Sequence, residues 1–213
     1  MLELFGRASS SNVQIVHWAL EEFGIAFQRH DLGENFGGLD TPEFRAMNPN
    51  GTIPVIKDGD LVLFESAAII RYLAENYGPK TGWPKNRKDH ARIDMWAEWA
   101  KQGPSNRFTF PVFWRVVRTP LKDQDAFEIR RAVDRFESDL PVADAQLAQY
   151  DWIAGDYMTH GDFVLGHILY RYFTIDIERR AFPNLFAYYK RLTRMQSYQK
   201  TVMIDFSDLR DTV

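Results

Sequence analysis

The sequence contains no cysteine among its 213 residues. A chain without cysteine has no disulfide framework, no thiolate metal site and no cysteine nucleophile, and it suits a reducing compartment. The sequence also lacks an apolar run long enough to span a bilayer. Its first residues, MLELFGR, lead into a strand-like stretch without the basic and apolar regions of a signal peptide. We therefore predict a cytoplasmic protein that does not enter a membrane.

Excess charge of one sign is also missing. Lys and Arg number 26 against 29 Asp and Glu, which gives a formal net charge of -3. Paired basic residues are scattered among acids on helix-like segments, so solvated helix faces explain them and a nucleic-acid partner is not expected. The five histidines are dispersed and no HExxH, GxGxxG or P-loop pattern occurs. We predict no metal site.

The first 78 residues alternate between strand-like and helix-like patterns. Residues 2–5 predict a buried strand, residues 13–23 keep helical spacing and end before Gly24, and residues 25–32 predict a second strand. The triplet Thr41-Pro42-Glu43 has the signature of a helix start, because proline is favoured in the first turn and an acid suits the positive end of the helix dipole.

The stretch NPNGTIPVIKDGDLVLFESAAIIRYL, residues 48–73, predicts two further strands and a helix. Pro54 cannot donate a ladder hydrogen bond and therefore suits the start of a strand. Asp58-Gly59 is typical of a two-residue hairpin turn, and Ser66 is expected to cap the helix that follows. The predicted order is βαβ, then α, then ββα, a mixed sheet with helices.

Composition changes at residues 78–89, GPKTGWPKNRKD, where glycine, proline and charged residues indicate a linker. Beyond it we find no convincing strand pattern. Amphipathic segments instead cover residues 88–102, 124–149, 161–172 and 183–193. We predict an α/β domain over residues 1–78, a linker over residues 79–88 and an all-helical domain over residues 89–213.

Together these features resemble the glutathione transferase superfamily, and the resemblance covers nearly the whole chain. Residues 48–73 are similar to the family's NPxxxxP and ESxAIxxYL pattern. The stretch MTHGDFVLGHILY, with Thr159 and Asp162, is similar to the capping box in the core helix of the family's helical domain. The resemblance implies a thioredoxin-like first domain and an all-α bundle, with glutathione as cosubstrate and no tightly bound cofactor.

The resemblance also implies which residues hold glutathione. A cis Ile53-Pro54 bond would turn the backbone of Ile53 outward, so that it pairs with the peptide backbone of glutathione. Ser66 would hold the γ-glutamyl carboxylate at the positive end of a helix dipole, and Glu65 would meet the ammonium group. The other implied glutathione contacts are Ser11, Asn12 and Thr52.

The thiol of glutathione is mostly protonated at neutral pH, so the reaction needs a group that stabilises the thiolate. The family places this group just after the first strand, where this chain reads ASSSN. No tyrosine precedes Tyr72 and no cysteine exists, which leaves serine. The resemblance favours Ser10 as the catalytic hydrogen-bond donor, with Ser9 or Ser11 as the alternatives if the turn differs by one residue.

One family contact has no counterpart in the sequence. Many members bind the glycyl carboxylate of glutathione with a basic or amide side chain before the second helix, whereas residues 33–44, GENFGGLDTPEF, contain no cation. The remaining candidates are backbone amides around Gly37 and Gly38, or the side chains of Asn12 and Asn50.

The segment over residues 101–121 is rich in aromatic side chains. In the family this region faces the thiol and forms the variable apolar pocket. The resemblance therefore implies that Phe110, Phe113 and Trp114 contact a hydrophobic electrophile, with Asn106 or Arg107 polarising it. The alternative is that these aromatic residues belong to the core of the bundle or to a dimer contact.

We predict a serine-type, cytosolic, bacterial-like glutathione transferase that acts in detoxification. The resemblance also implies a homodimer formed through residues 69–77 and 93–99. Two alternatives stay open: a transferase-fold protein that binds ligands or partners with little catalysis, or another glutathione-dependent enzyme such as an isomerase, dehalogenase or peroxidase. A catalyst must ionise bound glutathione, whereas a carrier need not.

Overall fold

A computed structural model describes residues 1–79, 84 and 86–212 of the chain. Within residues 1–79 it contains seven strands and α-helices: β1 Leu2–Phe5, α1 Ser11–Glu22, β2 Phe27–His30, α2 Pro42–Met47, β3 Val55–Asp58, β4 Leu61–Phe64 and α3 Ser66–Tyr77. The four strands form one sheet in the order β2-β1-β3-β4. Strand β2 is parallel to β1, whereas β3 is antiparallel to β1 and to β4. The elements follow the order that the sequence predicts, and their arrangement is the thioredoxin-like one that the resemblance implies.

The ends of the first helices follow from local chemistry. The Thr41 hydroxyl caps α2 by accepting the N–H of Phe44 at 3.3 Å. The prediction that Ser66 caps α3 is wrong by one residue, because Glu65 holds the cap position and Ser66 is already helical. Glu65 has a φ of 70°, so the chain reaches α3 through a left-handed residue. That backbone conformation turns the chain from β4 into the helix.

Residues 86–212 contain α-helices and short helical turns, with no strand among the described elements. The α-helices are α4 Arg87–Ala100, α5 Asn106–Phe108, α6 Ala126–Glu137, α7 Leu140–Leu147, α8 His160–Gly166, α9 Leu169–Thr174, α10 Pro183–Leu192 and α11 Gln196–Thr201. The one helix expected over residues 124–149 is two helices. It breaks because Pro141, in the first turn of α7, has no N–H to continue the pattern of α6. Helix α11 has no counterpart in the sequence prediction.

The chain stays helical between α4 and the loop before α6, but with wider turns. Residues Lys101–Ser105 and Thr109–Arg118 are π-helical and flank α5. Pro104 and Pro111 lie inside these segments. A proline removes one backbone donor and crowds the preceding turn, which π-helical turns accommodate. The π-helical turns carry Lys101 and three aromatic residues, Phe110, Phe113 and Trp114.

Helix α1 joins the two halves of the molecule. Trp18 is fully buried and makes edge-on ring contacts with Phe163 and Tyr198, each with centroids 4.8 Å apart. Its indole N–H donates to the Ser197 hydroxyl at 3.2 Å. A side chain at Gly166 would lie 2.8 Å from the Trp18 ring, so glycine permits this close approach. One continuous hydrophobic core therefore extends through both halves.

A buried carboxylate organises the centre of the helical half. Asp162 is fully buried and forms the predicted capping box with Thr159 at the start of α8. It accepts the N–H of Thr159 at 2.7 Å, the N–H of Ile153 at 2.9 Å and the Tyr188 hydroxyl at 2.9 Å. Burial raises the pKa of Asp162 to about 6, although these donors oppose the rise.

Helix α3 ends at Tyr77 and α4 begins at Arg87. Half of the predicted linker, residues 80–83 and 85, lies outside the described residues, so the division at residues 78 and 89 stays a prediction. In the described part of the chain, no helix is both long and apolar enough to cross a bilayer.

Candidate active site

The loop between β1 and α1 places Ser10 at a helix N-terminus. Gly6 has a φ of 141°, and a side chain there would lie 2.5 Å from Val13, so glycine allows the tight turn after β1. Ser10 is the N-cap of α1 and has an extended backbone, with φ -73° and ψ 124°. Its side chain makes no capping hydrogen bond. The hydroxyl is therefore not used by the helix, and it lies at the positive end of the helix dipole.

The three candidate serines have different surroundings. The Ser11 hydroxyl lies 3.4 Å from the Thr109 hydroxyl across the cleft. The Ser9 carbonyl accepts a guanidinium N–H of Arg171 at 2.7 Å. The hydroxyl of Ser10 has neither contact. Among the described residues the hydroxyls of Ser9 and Ser10 both lack a hydrogen bond, and Ser10 differs from Ser9 in its position as the N-cap of α1.

A cleft of about 230 Å³ lies between the two halves of the molecule. Nine of its lining residues are ones that the sequence analysis singled out for glutathione or for the electrophile: Ser9, Ser10, Ser11, Asn12, Thr52, Ile53, Phe110, Phe113 and Trp114. Residues from the β1–α1 loop, from the start of β3 and from the π-helical segment thus meet in one cavity.

The start of β3 forms one wall of this cleft. The Ile53-Pro54 peptide bond is cis, as predicted, and Pro54 is buried while Ile53 lines the cavity. The buried amide of Asn48 donates to the Thr52 carbonyl at 2.8 Å and fixes the loop before the strand. The backbone at Ile53 therefore has a defined position at the end of the sheet.

Lys101 reaches into the start of α3 from the helical half. Its ammonium group donates to the Asn12 side-chain oxygen at 2.6 Å and to the Ser66 hydroxyl at 3.1 Å. Burial lowers the pKa of Lys101, and the carboxylates of Glu65 and Glu98 oppose this effect. The lysine connects two residues that the sequence analysis assigned to glutathione, but it was itself missed. No local signal identified it, because Lys101 contacts residues that are 89 and 35 positions away in the sequence.

Three arginines that the sequence analysis also missed line the cleft: Arg7, Arg118 and Arg171. Arg118 binds both oxygens of Glu34, at 3.0 and 3.1 Å, and Arg7 binds the same carboxylate at 2.9 Å. The guanidinium of Arg118 also lies over the Trp114 ring, 4.1 Å from its centroid. The wall that was expected to be aromatic is therefore aromatic and cationic.

Arg171 differs from the other two arginines. It is 4% exposed, and its guanidinium carbon lies 4.4 Å from the centroid of the Phe113 ring. Among the described residues, the Nε of Arg171 has no hydrogen-bond partner, and the guanidinium forms no ion pair with a carboxylate. Burial, together with the nearby charges of Arg7 and Arg118, lowers the pKa of Arg171 to about 10. The group remains a cation at neutral pH.

Several predicted site residues lie elsewhere. Asn106 and Arg107 line a separate groove of about 580 Å³ on the outer side of the helical half, and Arg107 pairs there with Asp139. The structure therefore does not place Asn106 in the electrophile pocket, because its position in the helix directs it away from the cleft. Glu65 is exposed at the start of α3 and does not line the cavity.

The candidates for the glycyl carboxylate are partly engaged within the chain. The Gly37 N–H donates to the Glu34 carbonyl at 3.0 Å. The Asn50 side chain donates to Asn48 at 3.1 Å, and the Asn12 oxygen accepts from Lys101. Lys101 uses only the oxygen of Asn12, so the Asn12 NH₂ and the second N–H of the Asn50 amide can donate to a carboxylate while the present contacts are kept.

The fold and the cleft together define a two-domain protein of the thioredoxin-like transferase class. The model of the glutathione S-transferase N-terminal domain matches residues 9–76, and that of the C-terminal domain matches residues 106–195. The chain is similar to glutathione S-transferase GstB of Escherichia coli strain K12, with 35% identity over 97% of this chain and 100% of that protein. It is 32% identical to glutathione S-transferase 3 of Zea mays, over 94% of this chain and 93% of the maize protein.

A solved structure agrees with these relatives. The theta class glutathione S-transferase of Xanthomonas axonopodis pv. citri, with glutathione bound, superposes with a TM-score of 0.90 and 41% identity over 96% of this chain and 98% of that one. The chain belongs to the glutathione S-transferase family, and it is an enzyme of that family. The predicted resemblance and fold class are confirmed.

Proposed function

We propose that the chain binds glutathione along the Ile53 edge, ionises its thiol with Ser10 and joins the sulfur to an electrophilic carbon. The observation that supports this proposal is the meeting of Ser10, Ile53 and the aromatic residues of the helical domain in one cleft. The homologous Xanthomonas structure contains glutathione. An extended peptide in this cleft pairs with the backbone of Ile53 as an added strand would.

The γ-glutamyl end of glutathione is a zwitterion, and charged groups of both signs lie at the start of α3. Lys101 and the Ser66 hydroxyl, 3.1 Å apart, bind its carboxylate. The exposed Glu65 binds its ammonium group. The N-terminus of the 12-residue helix α3 adds its dipole to the carboxylate site. In this arrangement a lysine from the helical domain completes a site built on the first domain.

Ser10 acts as a hydrogen-bond donor and not as a nucleophile. Its hydroxyl donates to the glutathione sulfur, and the N-terminal amides of α1 favour the negative charge. The thiol proton passes to solvent as the thiolate forms. The lowered thiol pKa leaves a nucleophile at neutral pH.

The aromatic residues meet the carbon skeleton of the electrophile. Phe110 is 61% exposed at the mouth of the cleft, and its ring centroid lies 4.5 Å from that of Trp114. Phe113 is buried beneath Arg171 and supports this wall. Conjugation of hydrophobic electrophiles is the chemistry of detoxification that we assign to the enzyme, without a tightly bound cofactor.

We also propose a homodimer, in the cytoplasm, formed through residues 69–77 and 93–99. Two apolar side chains in these segments are exposed in the single chain, Tyr77 at 40% and Met95 at 57%. A two-fold axis beside α3 and α4 covers both. Light scattering of the wild type and of Met95→Glu tests this: a dimer that becomes a monomer is expected, and a monomeric wild type contradicts it.

Conjugation of glutathione to iodoacetamide tests the catalytic proposal. We expect kcat/KM above the uncatalysed rate, with S-carboxamidomethyl-glutathione as the product in mass spectrometry. Ser10→Ala should lower kcat/KM by about a hundredfold or more, the usual effect of losing one donor to a reacting anion. Ser9→Ala and Ser11→Ala are matched controls and should lose far less. If glutathione binds but no variant, nor the wild type, accelerates the reaction, the chain is a carrier.

A further inference from the structure

We propose that the cleft accepts a small electrophile that carries an anionic group, such as a carboxylate, and that Arg171 binds this group. The proposal rests on the glutathione conjugation proposed above and specifies its second substrate. The family resemblance implied an apolar pocket for this substrate. The structure places three arginines in it, and their surroundings indicate which of them lacks a partner.

Two of the arginines are already neutralised in part. Arg118 and Arg7 share the carboxylate of Glu34, and the Nε of Arg118 also donates to the Thr212 hydroxyl at 2.9 Å. Both side chains are largely buried, with 14% exposure for Arg7 and 5% for Arg118. Two guanidinium groups on one carboxylate leave a net positive charge at the back of the cleft.

Arg171 has a charge without a counterion in the described part of the chain. One N–H donates to the Ser9 carbonyl and the Phe113 ring covers one face, while Nε has no partner. Burying a cation is costly unless a carboxylate or a hydrogen-bond acceptor compensates it. Asp208 acts on it only at longer range. A bound anion supplies the missing partner, and guanidinium matches carboxylate geometry well.

The position of Arg171 relates this anion to the reacting sulfur. The guanidinium of Arg171 donates a hydrogen bond to the backbone carbonyl of Ser9, the residue before Ser10. Both serines line the cavity. When Arg171 holds the carboxylate of the electrophile, the carbon attached to that carboxylate therefore lies close to a sulfur held by Ser10. The cavity of about 230 Å³ must also hold part of glutathione, so the electrophile is small.

The reaction is a substitution at that carbon. The thiolate sulfur forms the new C–S bond, the bond to the leaving group breaks, and a halide departs with the electron pair. The carboxylate itself is unchanged. Its charge is held by Arg171 from the bound state through the transition state, which orients the carbon for attack.

Iodoacetate and iodoacetamide form a matched pair for the test, because they share the reacting carbon and differ in charge. The chain has no cysteine for either reagent to modify. The measured quantity is the ratio of kcat/KM for iodoacetate to that for iodoacetamide, each divided by its uncatalysed rate with glutathione. For the wild type we expect a ratio of about ten or more, from one charge-assisted contact. A ratio near one overturns the proposal.

Arg171→Gln should lower this ratio by about tenfold while the KM for glutathione changes little. Arg92→Gln, on the exposed face of α4, is the control and should leave the ratio unchanged. If Arg171→Gln slows both electrophiles equally, the arginine acts on the thiolate or on the fold, and the proposal is overturned.

Glu34→Gln provides a second test of the same ratio in case the Arg171→Gln variant does not fold. Removing this carboxylate leaves the charge of Arg7 and Arg118 uncompensated, so the ratio should rise about threefold. An unchanged or lower ratio contradicts the proposal. Failure of the wild type to conjugate either reagent instead contradicts the proposed glutathione chemistry, which distinguishes the two claims.

Discussion

The two domains contribute different chemistry to one cleft. Apart from Arg7 and the carboxylate of Glu34 that it binds, the thioredoxin-like domain provides short, neutral groups whose positions follow from the backbone: the Ser10 hydroxyl at the cap of α1 and the backbone at Ile53. The helical domain provides long cationic side chains, Lys101 and Arg171, that reach across to the first domain. Arg118 of the helical domain also reaches the first domain, where it binds the carboxylate of Glu34.

This difference suggests a division of labour. Neutral donors fixed by a sheet and a helix terminus suit a reacting sulfur, since its position must be held closely. Cations on a helical bundle suit the recognition of charged ends, because each adds one strong, local contact. The first domain would then determine the chemistry, and the second would determine what enters the cleft.

The strongest way to disrupt this arrangement is to loosen the bundle that holds the cations. Asp162→Asn replaces two acceptor oxygens by one oxygen and an NH₂ group that faces the donors of Thr159 or Ile153. We expect the free energy of unfolding to fall by about 2–4 kcal/mol, because buried donors lose their acceptor. Urea denaturation measures the loss.

Asp151→Asn is the matched control for that experiment. Asp151 has a side chain that is 76% exposed, and it pairs with Arg191 at the surface. A change within about 0.5 kcal/mol is expected. Equal losses for the two variants would show that the buried carboxylate does not organise the helical domain.

Lys101→Met sharpens the comparison by removing one cation from the glutathione site. The KM for glutathione should rise by about tenfold, because a charge-assisted contact to the γ-glutamyl carboxylate is lost. The thiol pKa of the bound glutathione should stay the same, since Ser10 is untouched. Lys101→Arg should restore part of the binding.

An analogue that lacks the γ-glutamyl carboxylate, γ-aminobutyryl-cysteinylglycine, isolates this contact. Its KM should be high for the wild type and should not increase further in Lys101→Met. If the substitution weakens glutathione and the analogue equally, Lys101 supports the fold of the site and does not bind the carboxylate.

The smallest expected effect is a dependence of stability on pH that both domains share. Burial lowers the pKa of His17 and His160 to about 4 and that of His167 to about 3. The unfolded chain then binds more protons than the folded chain below about pH 6.5, so stability is lost as the pH falls through this range. Asp162, whose pKa is raised to about 6, opposes this over part of the range.

His167→Asn should reduce the loss of stability between pH 7 and pH 6 by about 0.5 kcal/mol, measured by urea denaturation at the two pH values. His167 is buried in the helical half, with Nδ1 2.7 Å from the Val164 carbonyl. Because the two halves share one core, probes in either half should report the same change. A different pH dependence for the two halves would contradict a single cooperative unit.

The family resemblance singled out neutral residues of the cleft, and the cationic residues of the helical domain were missed for a physical reason. Ile53, Pro54 and Ser66 lie within one stretch whose turns and caps have local signatures. Ser9 and Arg171 meet across 162 positions of sequence, and Asn12 and Lys101 across 89. Such contacts follow from the packing of helices against α1, which no local pattern encodes.

The fold, like the site, was predictable where local patterns decide the structure and was missed where long-range packing decides it. The order of strands and helices in the first domain was predictable from spacing and turn residues, and the capping box at Thr159 identified α8. The π-helical turns around Pro104 and Pro111, which carry Lys101 and the aromatic wall, were predicted only as a helical segment. Asn106 lies in the short helix α5 between these turns and lines the separate groove instead of the cleft.

The ultraviolet difference spectrum of bound glutathione, titrated across pH, tests the central claim most directly, because thiolate absorbs where thiol does not. We expect a thiol pKa well below that of free glutathione in the wild type and in Lys101→Met, and loss of this shift in Ser10→Ala alone among the serine variants. Glutathione that binds without ionising, or a shift that survives Ser10→Ala, would contradict it.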